Sequence, residues 1–132
     1  MYKTSTILFC FALFIMAVTS CENNKNTTNL NVSLTVTNGD TATVYLGKFE
    51  RGERVYYDSA KLINDKAVLM ASIVQPELYY IVFKGSGDYI PLFAEPGNIS
   101  VDVDMNNLYE PLIVGSKTQD IYDSYMDSVA GY

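Results

Sequence analysis

A chain of 132 residues with nine Lys and Arg against fifteen Asp and Glu carries a formal net charge of −6, and its length suits one domain around one core. The acidic balance, with no cluster of Lys or Arg, argues against a nucleic-acid partner. Histidine is absent and the two cysteines are Cys10 and Cys21, which excludes His-based triads and bases, the common His-containing zinc sites and any Cys-x-x-Cys redox pair.

The amino end pairs Lys3 with hydroxyl residues, and Ile7 to Val18 follows as an unbroken run of twelve apolar residues. Small Thr19 and Ser20 come next, completing the three parts of a secretory signal. The run falls short of the roughly 20 residues that a spanning helix needs, so it is expected to be read by export machinery and removed. Val18-Thr19-Ser20-Cys21 resembles the bacterial lipobox. That resemblance implies a signal peptide over residues 1–20, diacylglycerol on the Cys21 thiol and acylation of the new amino end. Several acyl chains at about 0.8 kcal/mol per buried methylene anchor a protein stably. The membrane is therefore the first expected partner, through Cys21. The expected location is the cell envelope, at the outer membrane, facing periplasm or surface. An ordinary secretory signal with a chance cysteine is the plainer alternative. Residues 21–28, polar throughout after Cys21, read as a flexible tether. The Asn-x-Ser/Thr triplets at Asn26, Asn31 and Asn98 are read as chance in such a protein.

The body, residues 29–115, reads as strands. Leu30, Val32, Leu34 and Val36 alternate with polar residues, and Asn38-Gly39-Asp40 predicts a tight hairpin turn into a second strand, Thr43 to Phe49. Glu50 to Glu53 is a charged loop before a third strand, Arg54 to Ile63. Asn64-Asp65 predicts another hairpin, into Lys66 to Ile73. Glu77 to Lys84 is apolar on both faces and is expected at a central position. Tyr89 to Glu95 contains Pro91, which cannot donate to a ladder and predicts an edge or a bulge. Asn98 to Asp104 alternates again, and Glu110 to Val114 is a short last strand. About eight short strands with regular turns predict a mainly β fold, an antiparallel β-sandwich.

Residues 116–132 change period. Ser116 and Gln119 have capping-box spacing, and Ile121, Tyr122, Tyr125, Met126 and Val129 recur as on a helix face. A C-terminal helix of about a dozen residues is marginal alone. It must pack on the sandwich or on a partner that this chain does not supply.

Val44-Tyr45-Leu46, Asp58-Ser59-Ala60, Pro76 with Leu78-Tyr79, Leu92 to Ile99 and Val114-Gly115-Ser116 together resemble a domain of unknown function. That domain precedes the thioredoxin-like part of TlpA-type (AhpC/TSA-like) thiol-disulfide oxidoreductases, which are lipoproteins of some Gram-negative envelopes. The resemblance runs from about Leu30 to the carboxyl end. It implies an accessory role, since disulfide exchange needs an attacking and a resolving thiol and this sequence has no such pair.

Catalytic candidates are weak. Asp102 to Asn107 opens like a calcium loop, but Asn107 and Ile113 stand where the loop needs Gly and Glu, so no metal site is expected. Ser59 beside Asp58 lacks a base to activate it, and backbone bonding at a strand irregularity explains the pair better. Glu95 reads as a turn residue and not a general acid. No catalytic residue and no cofactor are expected. The tyrosine pairs Tyr56-Tyr57 and Tyr79-Tyr80 should each send one ring into the core and one outward, and these four form the candidate interaction surface. The expected function is that of a membrane-anchored envelope lipoprotein with a non-catalytic accessory domain that contacts an envelope protein. The alternatives are a fragment of a thioredoxin-like oxidoreductase and a small carbohydrate-binding module.

Overall fold

The computed structural model describes residues 28–40 and 42–131. The apolar leader and the lipobox residues Val18, Thr19, Ser20 and Cys21 lie outside the described residues.

The strands are β1 (Thr28–Thr37), β2 (Thr43–Glu50), β3 (Glu53–Lys61), β4 (Lys66–Ile73), β5 (Glu77–Phe83), β6 (Tyr89–Ala94), β7 (Gly97–Asp104) and β8 (Asn107–Val114), followed by helix α1 (Lys117–Ala130). They form two four-stranded sheets, ordered β4-β1-β7-β8 and β3-β2-β5-β6. The alternating rows predicted from sequence meet between the sheets. Leu30, Val32, Leu34 and Val36 of β1 and Ile99, Val101 and Val103 of β7 pack with Val44, Leu46, Tyr79, Ile81, Ile90 and Leu92 of the second sheet in one buried cluster. Strand β5 is central, between β2 and β6, and Pro91 lies on β6, an edge strand, where its missing N–H breaks no ladder.

Two expected hairpins are corrected. Strands β1 and β2 belong to different sheets, and so do β3 and β4. Asn38 and Asp40 take positive φ, as a tight turn requires, but the turn carries the chain across the end of the core. Both edges of β1 are already taken, by β4 on one side and β7 on the other. Asn64 and Asp65 also have positive φ, and they close only the isolated Ile63–Lys66 bridge before the chain crosses back. The β1–β7 pairing is parallel, while the other five pairings are antiparallel. The charged loop at Arg51-Gly52, with both φ positive, is a true hairpin turn between β2 and β3.

Side chains bond to the backbone of two edge strands, β4 and β6. Asp58 on edge strand β3 accepts from the Ser59 N–H at 2.8 Å and from the Met70 N–H of edge strand β4 at 2.7 Å, which ties the two sheets together and occupies a donor that could otherwise template a foreign strand. At the opposite corner α1 closes β6. Ser116 Oγ donates to the Phe93 carbonyl at 2.6 Å, and the Phe93 N–H donates to Gln119 Oε1 at 3.1 Å. Ser116 also caps α1, accepting from the Gln119 N–H at 3.1 Å. The capping box is thus half made: Gln119 turns to β6 instead of returning to the cap. Glu95 accepts from the Lys117 N–H and from Thr118 Oγ1, placing a carboxylate at the positive end of the helix.

Candidate functional site

The outward rows of the two sheets differ in chemistry. On the first sheet, Asn31, Ser33, Thr35 and Thr37 of β1 lie beside Asn98, Ser100, Asp102 and Asp104 of β7. These are short polar side chains that bond to one another, as in Asn31 Nδ2 to Asn98 Oδ1 at 3.1 Å. The edge strands flank this polar middle with exposed apolar residues, Val68 and Met70 on β4 and Leu112 and Val114 on β8. On the second sheet the outward row is aromatic. Tyr45 and Tyr56 stack at 4.9 Å, while Tyr80 receives Phe49 and Tyr89 edge-on, each at 5.1 Å.

Gly47 makes this arrangement. It is buried in mid-strand, and a Cβ there would stand 2.5 Å from the Val55 carbonyl oxygen and 2.8 Å from Tyr56 Cδ1. The absent side chain lets Tyr56 lie down over β2. A shallow recess results, lined by Gly47, Phe49, Arg54, Tyr56, Tyr80 and Tyr89. Its cavity volume is about 10 Å³, near the least that holds a single water, so it suits an inserted methyl or ring edge and not a whole small molecule. The Arg54 guanidinium sits 5.4 Å from the Phe49 ring, a cation–π arrangement.

Strand β3 holds a bulge that explains where the tyrosines go. Leu46 pairs with Asp58 and Gly47 with Tyr56, leaving Tyr57 unpaired. The bulge shifts the alternation by one, so Tyr56 and Tyr57 are both exposed, at 47% and 41%. Tyr79 and Tyr80 follow the simple rule: Tyr79 is 1% exposed, and Tyr80 lies outward in the recess. Of the four candidate residues, Tyr56 and Tyr80 share the aromatic face. Tyr57 lies at the core's rim against Tyr79, with rings 5.6 Å apart, and Tyr79 is too buried to meet a partner. Sequence reading missed Tyr45, Phe49, Arg54 and Tyr89. The signal available was Gly47, since an isolated Gly inside a strand marks a bulge or a close approach.

Below the rim, Lys48 is held by Glu77 at 2.7 Å and Glu50 at 3.4 Å, and its ammonium lies 5.2 Å from the Tyr57 ring and 5.7 Å from the Tyr79 ring. Tyr57 donates its hydroxyl to Glu50. The hydrogen bond to Glu77 pushes the Lys48 ammonium above its usual range, so Lys48 stays a cation and cannot serve Ser59 as a base. Burial raises both Tyr57 and Tyr79, and the Tyr57 hydroxyl holds Glu50 below the ordinary carboxylate range. Lys48, Tyr57 and Tyr79 bind their protons more tightly folded than unfolded. Their contribution to stability is therefore complete below pH about 10 and is lost as pH climbs through the folded values. The thermal midpoint, followed by circular dichroism, should hold steady up to pH about 9 and fall at higher pH. Tyr57→Phe should make that fall shallower.

Asp104 accepts from Asn38 Nδ2 and the Asn106 N–H, each at 2.9 Å, and these bonds hold its carboxyl below the usual range. The supposed calcium-loop start is thus a pair of turn fastenings, and among the described residues no three acidic or sulfur side chains gather as a metal site. The resembled segments also find places. Gly115 presses against the Asn98 carbonyl, and Phe93, Glu95 and Ser116 form the joint between β6 and α1. The family model described as Domain of unknown function (DUF4369) matches residues 28–122. The chain belongs to that family. No curated protein and no solved structure matches it. The match takes in all eight strands, the joint and α1 as far as Tyr122.

Proposed function

We propose that this chain is an envelope lipoprotein, acylated at Cys21, whose domain works as a non-catalytic interaction module through the outward face of the sheet β3-β2-β5-β6. One observation carries the reading: Phe49, Tyr56 and Tyr89 stand 45–47% exposed on one face around Arg54, with Phe49 and Tyr89 both packed on Tyr80. The exposed apolar residues of the other sheet, Val68 and Met70 on β4 and Leu112 and Val114 on β8, are split between its two edge strands by the polar rows of β1 and β7. Clustered aromatics with an Arg are the composition of protein-contact patches. The edge-to-face contacts of Tyr80 with Phe49 and Tyr89 occupy ring area that sugar stacking would need, which favours a protein contact. The accessory role also agrees with the resemblance to domains that precede thioredoxin-like partners.

Two measurements test it. Wild type should partition into detergent with the added mass of its acyl chains, and Cys21→Ser should be water-soluble without that mass; equal mass and partitioning overturn the anchor. A photo-cross-linker placed at Tyr89 in cells should trap a protein, while one at Ser33, in the middle of the other sheet, should trap none. Equal trapping from the two faces, or none from Tyr89, overturns the interaction face.

A further inference from the structure

Helix α1 is held at its base and bare beyond it. Ser116, Gln119 and Glu95 fix its first turn to β6, and Tyr122 touches the Phe93 ring at 5.0 Å. Beside that contact Ile121 is 72% exposed, and past it Tyr125, Met126 and Val129 are 62%, 45% and 49% exposed. A helix of this length does not hold an apolar stripe open to water on its own propensity.

The stripe has a charged border of one sign. Asp120, Asp123 and Asp127 run along α1, against Lys117 alone, and its last turn contains no basic residue. Asp127 therefore faces the negative end of the helix dipole unrelieved. The aromatic face of the second sheet has the opposite border. By alternation from the core rows, its outward set carries Arg54 and Lys61, continued by Lys84 just past β5. The one carboxylate that alternation adds, Glu95 just past β6, is already engaged by Lys117 and Thr118 at the start of α1. Among the described residues the ion pairs both belong to Lys48, so these three cations are not engaged with acids. The dimensions also agree. Fourteen helical residues span about 21 Å, and four strands are about 14 Å across between outer axes.

We infer that a second copy of this chain covers this surface: α1 of each copy lies across the aromatic face of the other, in a reciprocal dimer. Beyond Tyr122 the stripe is not folded onto its own sheet, so exchange between copies satisfies both surfaces at once, and a two-fold arrangement buries two helices and two faces around one axis. Acidic helix meets basic sheet, which also fixes the register of the contact. The inference rests on the interaction face proposed above, and a shared membrane tether raises the effective concentration of the two copies.

The test uses two differently tagged copies of the full chain expressed together, one with Tyr125→Cys and the other with Tyr56→Cys. Mild oxidation should join the two tags through a disulfide. Pairing Tyr125→Cys with Ser33→Cys should not. Adding Asp127→Lys, which improves the helix dipole and so does not weaken the fold, should lower the yield about fivefold, and Arg54→Glu on the other copy should do the same. Absence of the cross-link, or a yield indifferent to both charge reversals, overturns the dimer. If the Tyr89 photo-cross-linker still traps a different protein, the interaction face survives and only its occupant was wrong. If Tyr89 traps nothing, both fall.

Discussion

Replacing Gly115 with alanine should destabilise the domain by about 3 kcal/mol and lower its thermal midpoint by roughly 15 °C. Gly115 has φ of 104°, and an added Cβ would lie 2.4 Å from the Asn98 carbonyl oxygen and 3.3 Å from the Ile99 Cα. Both obstacles are backbone of β7, so no side chain can swing aside. The strain falls where β8 hands the chain to α1, next to the bonds from Ser116 and Gln119 to Phe93. Gly97→Ala separates the two components. Its φ is 124°, yet nothing lies within 4 Å of the added Cβ, so it should cost only the conformational part, about 1 kcal/mol. Circular dichroism melts of both variants decide the matter. Equal losses would mean that the contact with Asn98 is not the cause.

The sequence made the elements legible but not their partition between sheets. Period-two alternation tells which residues of β1 and β2 face the core, and it reads the same whether the strands lie side by side or opposite each other. Asn38-Gly39-Asp40 supplies positive φ in either case, so the crossing at that turn is written in the pairings of β1 with β4 and β7, which span the whole chain. The tyrosine pairs divide in the same way. Tyr79 is buried as alternation predicts, whereas the bulge at Tyr57 arises from the close approach of Tyr56 to Gly47, a contact across strands that no local pattern encodes. At the joint, Ser116 and Gln119 announce a helix start. That Gln119 spends its side chain on Phe93, 26 residues earlier, follows from β6 being an edge strand with a donor to satisfy. The exposed stripe on α1 was legible as a stripe; its exposure depends on the direction the joint imposes.

Gly47→Ala should cost about 2–3 kcal/mol, at the upper end of what overpacking a fitted site does. Here backbone strain is not the reason, because the conflict is between the new methyl group and β3. The Val55 carbonyl oxygen at 2.5 Å is nearer than the Tyr56 ring at 2.8 Å, so β2 and β3 must separate at the bulge. The expected result is a lower thermal midpoint together with faster amide exchange from Val55 to Asp58, while β7, in the other sheet, keeps its protection relative to global unfolding. Adding Tyr56→Ala removes the ring but not the carbonyl, so the double variant should recover less than half of the loss. Full recovery would show that the ring alone was the obstacle. The same methyl group should also lift Tyr56 from the sheet and fill the recess, so Gly47→Ala should reduce trapping at Tyr89 more than its loss of stability explains. A Gly in mid-strand would then be what shapes the contact surface of this domain.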